Sequence, residues 1–259
     1  MQPVLAIALT GMQEDMSHLD RVAQNMTNMA TPGYKREVVL ARPFVDVVDE
    51  LSAAADGAVG VDVAATLHRP LVLVDTKAGS LKATGQPLDL ALSGDGFFEV
   101  STSQGTAYTR QGDFSVDAQG RLVTSAGDPV MGKGGEIRLA TRTPAVDAAG
   151  NLTEPDAPAN SGVPADGSPV AQLRIVRFGD TRGMTHLGGG LLSPGSDPQV
   201  VPDATARVHQ GQLEASNTNT MQEMVQVIQT MRHFESMQKV AQGYDDLLGT
   251  AIQKLGDLS

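Results

Sequence analysis

The chain has 259 residues, of which 41% are hydrophobic, so it is long enough to bury one large core or two smaller ones. Aromatic residues make up only 3% and tryptophan is absent, so these cores must rest on Val, Leu, Ala and Met. The absence of cysteine excludes disulfides and thiol catalysis. A net charge of −11 argues against nucleic-acid binding, which needs clustered Lys and Arg.

The N-terminal segment predicts an amphipathic helix that ends near Met29. Between Leu5 and Ala30, apolar residues recur at alternating steps of four and three residues, which is the spacing of a heptad seam. Pro32 disfavours the helical conformation in the preceding residue, Thr31, and Gly33 permits a reversal. These three residues are interpreted as a chain-exit turn.

The C-terminal segment predicts a second, longer helix that ends near Gly256. Its apolar residues show the same heptad spacing from Met221 to Met231, and the pattern resumes at Phe234 after a phase slip. Thr220 and Glu223 match the capping-box pattern and predict the start of this helix.

The middle of the chain predicts an antiparallel β domain. The stretch LDLALS from Leu88 alternates apolar and polar residues, and a turn at Gly94–Gly96 then leads into short strands separated by glycine turns. A Pro/Gly-rich piece at about residues 147–168 is expected to be a loop, and residues 190–203 are expected to be irregular. No internal repeat is evident.

No catalytic, cofactor-binding or metal-binding residue is predicted. The five histidines are scattered without metal-ligand spacing, and GDGFFE lacks the third glycine and the helix of a dinucleotide loop. Neither a Gly-x-Ser-x-Gly elbow nor a P-loop is present. The sequence therefore predicts a protein that is not an enzyme and has no cofactor and no small-molecule substrate.

Three segments resemble the axial proteins of the bacterial flagellum, specifically the proximal or distal rod members of the rod/hook basal-body family. The first contains Asn25 and Asn28 followed by TPGYK. The second, GSLKATGQPLDLALSGDGFFEV and its continuation, extends from Gly79 to Gly132. The third, GQLEASNTNTMQEMVQVIQTMRHFESMQKV, covers residues 211–240.

The resemblance implies a structural subunit of the flagellar basal-body rod, mainly β with α-helical termini. Heptad helices at both ends would form a coiled-coil-like assembly layer around a central antiparallel β domain. The chain would polymerise with copies of itself and with other axial proteins into a hollow shaft that transmits motor torque to the hook. It would leave the cell through the flagellar type III export apparatus, without a cleaved signal peptide, and reside in the periplasmic rod.

Four regions are predicted from these patterns. They are an N-terminal assembly helix at 1–30, an irregular or extended connector at 31–78, a β domain at 79–212 and a C-terminal assembly helix at 213–259. The assembly interface is predicted to comprise Met12, Met16, Leu19, Ala23, Asn25, Met26, Asn28, Asn217, Asn219, Met221, Met224, Ile228, Met231, Phe234, Ala241, Leu248 and Ile252.

Two questions stay open at this point. The terminal helices could pair within one molecule instead of between molecules, and the chain could be an adhesin or cell-wall-binding module carried on a coiled-coil stalk. The Pro32-Gly33 break is expected to serve assembly alone, so replacing both residues by alanine should leave the β domain at its normal stability.

Overall fold

The protein is described here by a computed structural model that covers residues 3–40, 71–154, 168–202 and 207–256. It is mainly β with one long helix near each end, which confirms the predicted fold class at that level. Much of the predicted connector at 31–78 and of the predicted loop at 147–168 lies outside the described residues. The chain divides into two compact units: a helical unit of Met1–Met26, Val38–Val72 and Asn219–Ser259, and a β unit of Thr27–Glu37 and Leu73–Thr218.

The two helices are α1, Pro3–Thr27, and α2, Thr220–Gly256. The side-chain oxygen of Asn219 accepts hydrogen bonds from the backbone N–H groups of Met221 and Gln222, at 3.1 and 3.3 Å. Asn219 is therefore the N-cap of α2, one residue before the predicted Thr220, because its short amide side chain reaches the free N–H groups of the first turn. Neither described helix contains an apolar stretch that could span a membrane.

The strands are mostly short and pair in an antiparallel manner. They are β1 Glu37–Leu40, β2 Leu71–Val74, β3 Leu81–Ala83, β4 Leu90–Leu92, β5 Phe97–Thr102, β6 Gly105–Thr109, β7 Ser115–Val116, β8 Leu122–Val123, β9 Met131–Gly132, β10 Gly135–Glu136, β11 Ala145–Val146, β12 Asn151–Thr153, β13 Ala171–Gln172, β14 Ile175–Asp180, β15 His186–Gly188, β16 Leu191–Leu192, β17 Ser196–Val200, β18 Val208–Gln210 and β19 Gln212–Glu214. The largest sheet has the order β15-β16-β6-β5-β14-β17. Two-stranded ladders join β18 to β4 and β19 to β3.

The consecutive phenylalanines of β5 fill two cores. Because successive side chains of a strand point to opposite faces, Phe98 joins a large cluster with Phe114, while Phe97 joins a smaller cluster with Tyr108 and Phe178. The ring centroids of Phe98 and Phe114 are 5.1 Å apart, and those of Tyr108 and Phe178 are 4.8 Å apart. A chain with few aromatic residues thus concentrates them in its β unit.

The segment predicted to be irregular contains two strands, β16 and β17. Pro198 opposes Phe178 within the β14–β17 ladder, and β17 is the edge strand of the largest sheet. An edge strand tolerates proline because one side of its backbone has no ladder partner, so the proline does not exclude a strand here. The stretch LDLALS contains a strand as predicted, β4, and all three of its residues are buried.

A turn is repeated within the β unit, which corrects the expectation of no internal repeat. In VDAQGRL the Asp117 Oδ1 accepts hydrogen bonds from two backbone N–H groups, those of Gln119 at 2.9 Å and Arg121 at 2.8 Å. In VDAAGNL the Oδ1 of Asp147 does the same two and four residues on, again at 2.9 and 2.8 Å. Each turn leads to a leucine that is fully buried, in β8 and β12 respectively.

Candidate functional site

The predicted chain-exit turn follows α1 and is packed into the β unit. The Thr31 amide donates to the Asn28 carbonyl oxygen at 3.1 Å, and Gly33 has a positive φ of 65°. A Cβ atom at Gly33 would lie 2.3 Å from the carbonyl carbon and oxygen of Arg110. The expectation that alanine at this position would leave the β domain unaffected is therefore wrong, because the turn is in direct contact with that domain's backbone.

A buried ion cluster lies directly after this turn. It consists of Lys35, Arg110 and Glu214, all of which are almost fully buried. The carboxylate of Glu214 accepts from Lys35 Nζ at 2.6 Å, from an Arg110 guanidinium nitrogen at 3.1 Å and from the Gly79 N–H at 2.7 Å. One carboxylate thus connects three separate segments of the chain.

The remaining donors of the two cations are directed mainly at backbone oxygens. Lys35 Nζ also donates to the Lys77 carbonyl oxygen at 2.7 Å, and Arg110 donates to the carbonyl oxygens of Leu92 and Gly94. The Arg110 guanidinium also lies over the Phe97 ring, 5.3 Å from its centroid. The cluster is therefore extensively bonded, although it contains two cations and a single anion.

Burial controls the electrostatics of the cluster. Burial lowers the pKa of the Lys35 ammonium from its ordinary value of 10.5, and the Glu214 carboxylate opposes this shift. Burial also lowers the pKa of the Arg110 guanidinium, and Glu214 again acts in the opposite direction. The Glu214 carboxylate therefore favours the charged form of both cations, against the effect of their burial.

Asn217 makes a second set of bonds beside the cluster. Its side-chain oxygen accepts from the Arg36 N–H at 2.8 Å, and its amide group donates to the carbonyl oxygens of Asp75 at 2.7 Å and Lys77 at 3.1 Å. Two backbone bonds run in parallel with these, from Gly33 N–H to the Glu214 oxygen and from Asn217 N–H to the Tyr34 oxygen. The segments after α1 and before α2 are thus bonded side by side.

In the helical unit, α1 and α2 pair in opposite directions through both polar and apolar contacts. Asn25 donates to the Glu223 carboxylate at 3.4 Å, and both side chains are buried. His233 Nδ1 lies 2.7 Å from an Asp15 carboxylate oxygen. A Cβ at Gly11 would lie 3.6 Å from the Met237 methyl group. The residue numbers of these contacts fall along α1 as they rise along α2, so the helices are antiparallel.

The apolar residues of the predicted α2 seam lie on two different faces. Met221, Met224, Ile228 and Met231 are exposed by 51% to 80%, and we name these four residues the α2 stripe. Phe234 is instead half-buried and, in sequence, adjoins the contact of His233 with Asp15. The phase slip of the pattern is therefore a change of face, from an exposed stripe to the side that packs within the unit.

The predicted interface residues of α1 fall beside the contact face. Ala8, Gly11, Asp15, Val22 and Asn25 are buried or half-buried at heptad spacing. The predicted apolar seam is displaced from this set by one residue, which is a rotation of about 100° around the helix. In that seam Met16 and Ala23 are exposed, while Met12, Leu19 and Met26 are half-buried.

The predicted asparagines all have partners within the chain. Asn25 bonds to Glu223, Asn28 accepts from the Thr31 hydroxyl, Asn217 bonds beside the ion cluster and Asn219 caps α2. Ala241 is half-buried in α2. The side chains of Leu248 and Ile252 lie outside the described part of the structure.

Sequence reasoning missed the ion cluster itself. Lys35, Arg110 and Glu214 are far apart in the sequence, and single charged residues are usually solvated. A usable signal was present, because each of them lies in a different one of the three segments that carry the family resemblance. Within the described ranges, no group of three His, Asp or Glu side chains is placed to hold a metal ion.

Comparison with known proteins identifies two domains. Residues 91–168 match the model of the flagellar hook protein FlgE/F/G D1 domain, and residues 209–254 match the flagellar basal body rod FlgEFG protein C-terminal model. The second match begins within β18 and includes Glu214, Asn217 and the α2 stripe.

Full-length relatives agree with these matches. The chain is 31% identical to the flagellar basal-body rod protein FlgG of Bacillus subtilis, over 93% of this chain and 94% of the relative. It is 29% identical to FlgF of Caulobacter vibrioides over 100% of both chains, and 32% identical to FlgF of Escherichia coli over 90% of both. The chain belongs to the family of flagellar basal-body rod proteins that includes FlgF and FlgG.

Proposed function

We propose that the protein is a structural subunit of the flagellar basal-body rod and that it polymerises through its terminal helices. The observation that carries this proposal is the α2 stripe, since four large apolar side chains lie exposed on a helix that already packs against α1 by another face. An apolar stripe at heptad spacing that faces solvent is typical of a helix that packs against another chain.

The energetics favour assembly over permanent exposure. Burying one Met or Ile side chain completely contributes roughly 1.5 to 3 kcal/mol, and more than half of each stripe residue remains to be buried. A contact that covers the whole stripe would therefore contribute several kcal/mol per subunit, repeated at each subunit of a polymer. Methionine suits such a contact because its unbranched side chain adapts to neighbours of unequal shape.

The partners in this proposal are copies of the chain and other axial proteins of the rod and hook. The polymer would form the hollow periplasmic shaft that transmits torque to the hook. Helices that leave an apolar stripe uncovered are weakly stable alone, which would let them pass unfolded through the type III export apparatus and become ordered on assembly. An adhesin on a coiled-coil stalk is not favoured, because the named relatives are basal-body rod proteins.

Cysteine cross-linking tests the proposal, because the chain contains no cysteine of its own. Met224→Cys, labelled at its thiol with a benzophenone maleimide and irradiated, should form covalent cross-links to neighbouring axial subunits in basal bodies, because the photoreactive group inserts into a C–H bond of whichever chain covers it. Val200→Cys provides the matched control, because Val200 is similarly exposed but lies on the edge strand of the β unit. Basal bodies that contain the Met224→Cys subunit without any cross-link would contradict the proposed interface.

A further inference from the structure

Glu214 and Asn217 together join three segments of the β unit that border the helical unit in the sequence. Residues 33–36 follow α1, residues 75–79 follow β2, and residues 214–217 precede α2. The Glu214 carboxylate accepts hydrogen bonds from Lys35 in the first segment and from Gly79 in the second. The Asn217 side chain accepts a hydrogen bond from the Arg36 N–H of the first segment and donates hydrogen bonds to two carbonyl oxygens of the second segment.

The charges of the cluster are not explained by stability alone. Buried ion pairs are often matched or exceeded in stability by apolar side chains of the same size, and this cluster has two cations for one carboxylate. Charged side chains form directional hydrogen bonds to particular backbone groups, which apolar side chains cannot do. Here those groups belong to Lys77, Gly79, Leu92 and Gly94.

We propose that Lys35 and Glu214 are positioning residues that hold the bordering segments against one another, a role additional to the contribution of the cluster to the stability of the β unit. The Glu214 carboxylate is held in place by Arg110, which also bonds to the segment before β5. Lys35, in the segment that follows α1, then bonds this segment to the held carboxylate. The mechanical consequence rests on the proposed function: in a rod, force passing along the chain between helices and β unit crosses these segments.

The Lys35→Met variant distinguishes the proposed positioning role from a role in the stability of the β core. Methionine keeps most of the length of the lysine stem, and the Arg110–Glu214 pair remains with balanced charge. The variant loses only the bonds from Lys35 to Glu214 and to the Lys77 oxygen. The β unit should therefore still fold, while the first segment is released from the other two.

Hydrogen exchange measured by mass spectrometry on the full-length protein tests this proposal. In Lys35→Met, amides of residues 33–36, 75–79 and 214–217 should exchange at least about tenfold faster than in the unsubstituted protein. Amides of β5 and β6 should keep their exchange rates. Arg121→Met is the control, because it removes a partly exposed ion pair with Asp117 within the same unit and should leave the three segments unchanged.

Two outcomes would overturn the proposal. Unchanged exchange in the three segments would show that Lys35 does not hold them, and equal acceleration in β5 and β6 would show that it serves the whole β unit. Neither outcome affects the proposed rod function, which the cross-linking of Met224→Cys tests independently. A swimming assay of Lys35→Met then reports whether this positioning role matters in the assembled rod.

Discussion

The helical unit and the β unit differ in how completely they cover their apolar side chains. In the β unit, both faces of β5 are covered by apolar clusters, and the buried charges of the ion cluster are bonded to one another and to the backbone. In the helical unit, buried Asn25 and Glu223 lie between the helices while the α2 stripe faces solvent.

This difference indicates which unit is complete by itself. A fold gains most of its stability by removing apolar surface from water, and the β unit does so within one chain. The helical unit leaves its most apolar stripe uncovered, so its stability should depend on a partner. Substitutions in the two units should accordingly have very different effects on the isolated protein.

The largest effect on the isolated protein is expected from Glu214→Leu. The substitution leaves Lys35 and Arg110 buried without their carboxylate, which typically costs about 3 to 5 kcal/mol. Urea unfolding of the purified variant, followed by a probe of the β unit, measures the loss. The Arg121→Met variant should change the same midpoint only slightly, because its ion pair is partly exposed. A Glu214→Leu midpoint equal to that of the control would contradict the role of the cluster.

Gly33→Ala should have the next largest effect. The added methyl group would overlap the backbone of Arg110, and the positive φ of 65° strains any side chain, so we expect a loss of about 2 to 4 kcal/mol. Thermal melting of the β unit measures it. Gly243→Ala in α2 is the matched control, because no atom lies within 4 Å of its added Cβ and alanine favours a helix. A normal melting temperature for Gly33→Ala would show that the turn is not part of the β fold.

A smaller effect, confined to the helical unit, is expected from Asn25→Leu. Removing one donor from the buried Glu223 carboxylate should cost about 1 to 3 kcal/mol in the pairing of the helices. The helical circular dichroism signal should therefore melt earlier while the β unit melts normally. The double variant Asn25→Leu with Glu223→Leu should recover part of the loss, since it removes the buried carboxylate together with this donor. A β unit that melts early in either variant would argue against two separable units.

The sequence predicts the elements of this protein better than their faces. Heptad spacing predicts both helices, and Pro32-Gly33 predicts the end of the first. Both signals can be read from the sequence because they involve residues that are close together in the chain. Periodicity alone does not tell which of two adjacent stripes faces the other helix. The residues before and after the phase slip at Phe234 are therefore predicted as one interface, although they lie on different faces.

The ion cluster could not be predicted from local patterns at all. Its members come close only after three distant segments have folded together, and a lone Lys35 or Glu214 in the sequence resembles any solvated residue. The repeated turn could have been found, because VDAQGRL and VDAAGNL differ at only two positions. The strand β17 contains Pro198, a residue that is excluded only from central strands, and β17 lies at an edge.

Ile228→Asp tests the central claim most directly, because the account predicts almost no effect on the free protein and a complete effect on assembly. The side chain is 51% exposed, so unfolding of the purified variant should change by less than about 0.5 kcal/mol. In a rod the unpaired carboxylate would be buried at every subunit, at a cost of several kcal/mol each. The measurement is the swimming of cells that carry only the variant, together with its content in purified basal bodies and with Ile228→Met as the control. The account predicts no swimming and no variant in basal bodies, whereas normal swimming with the variant incorporated would contradict it.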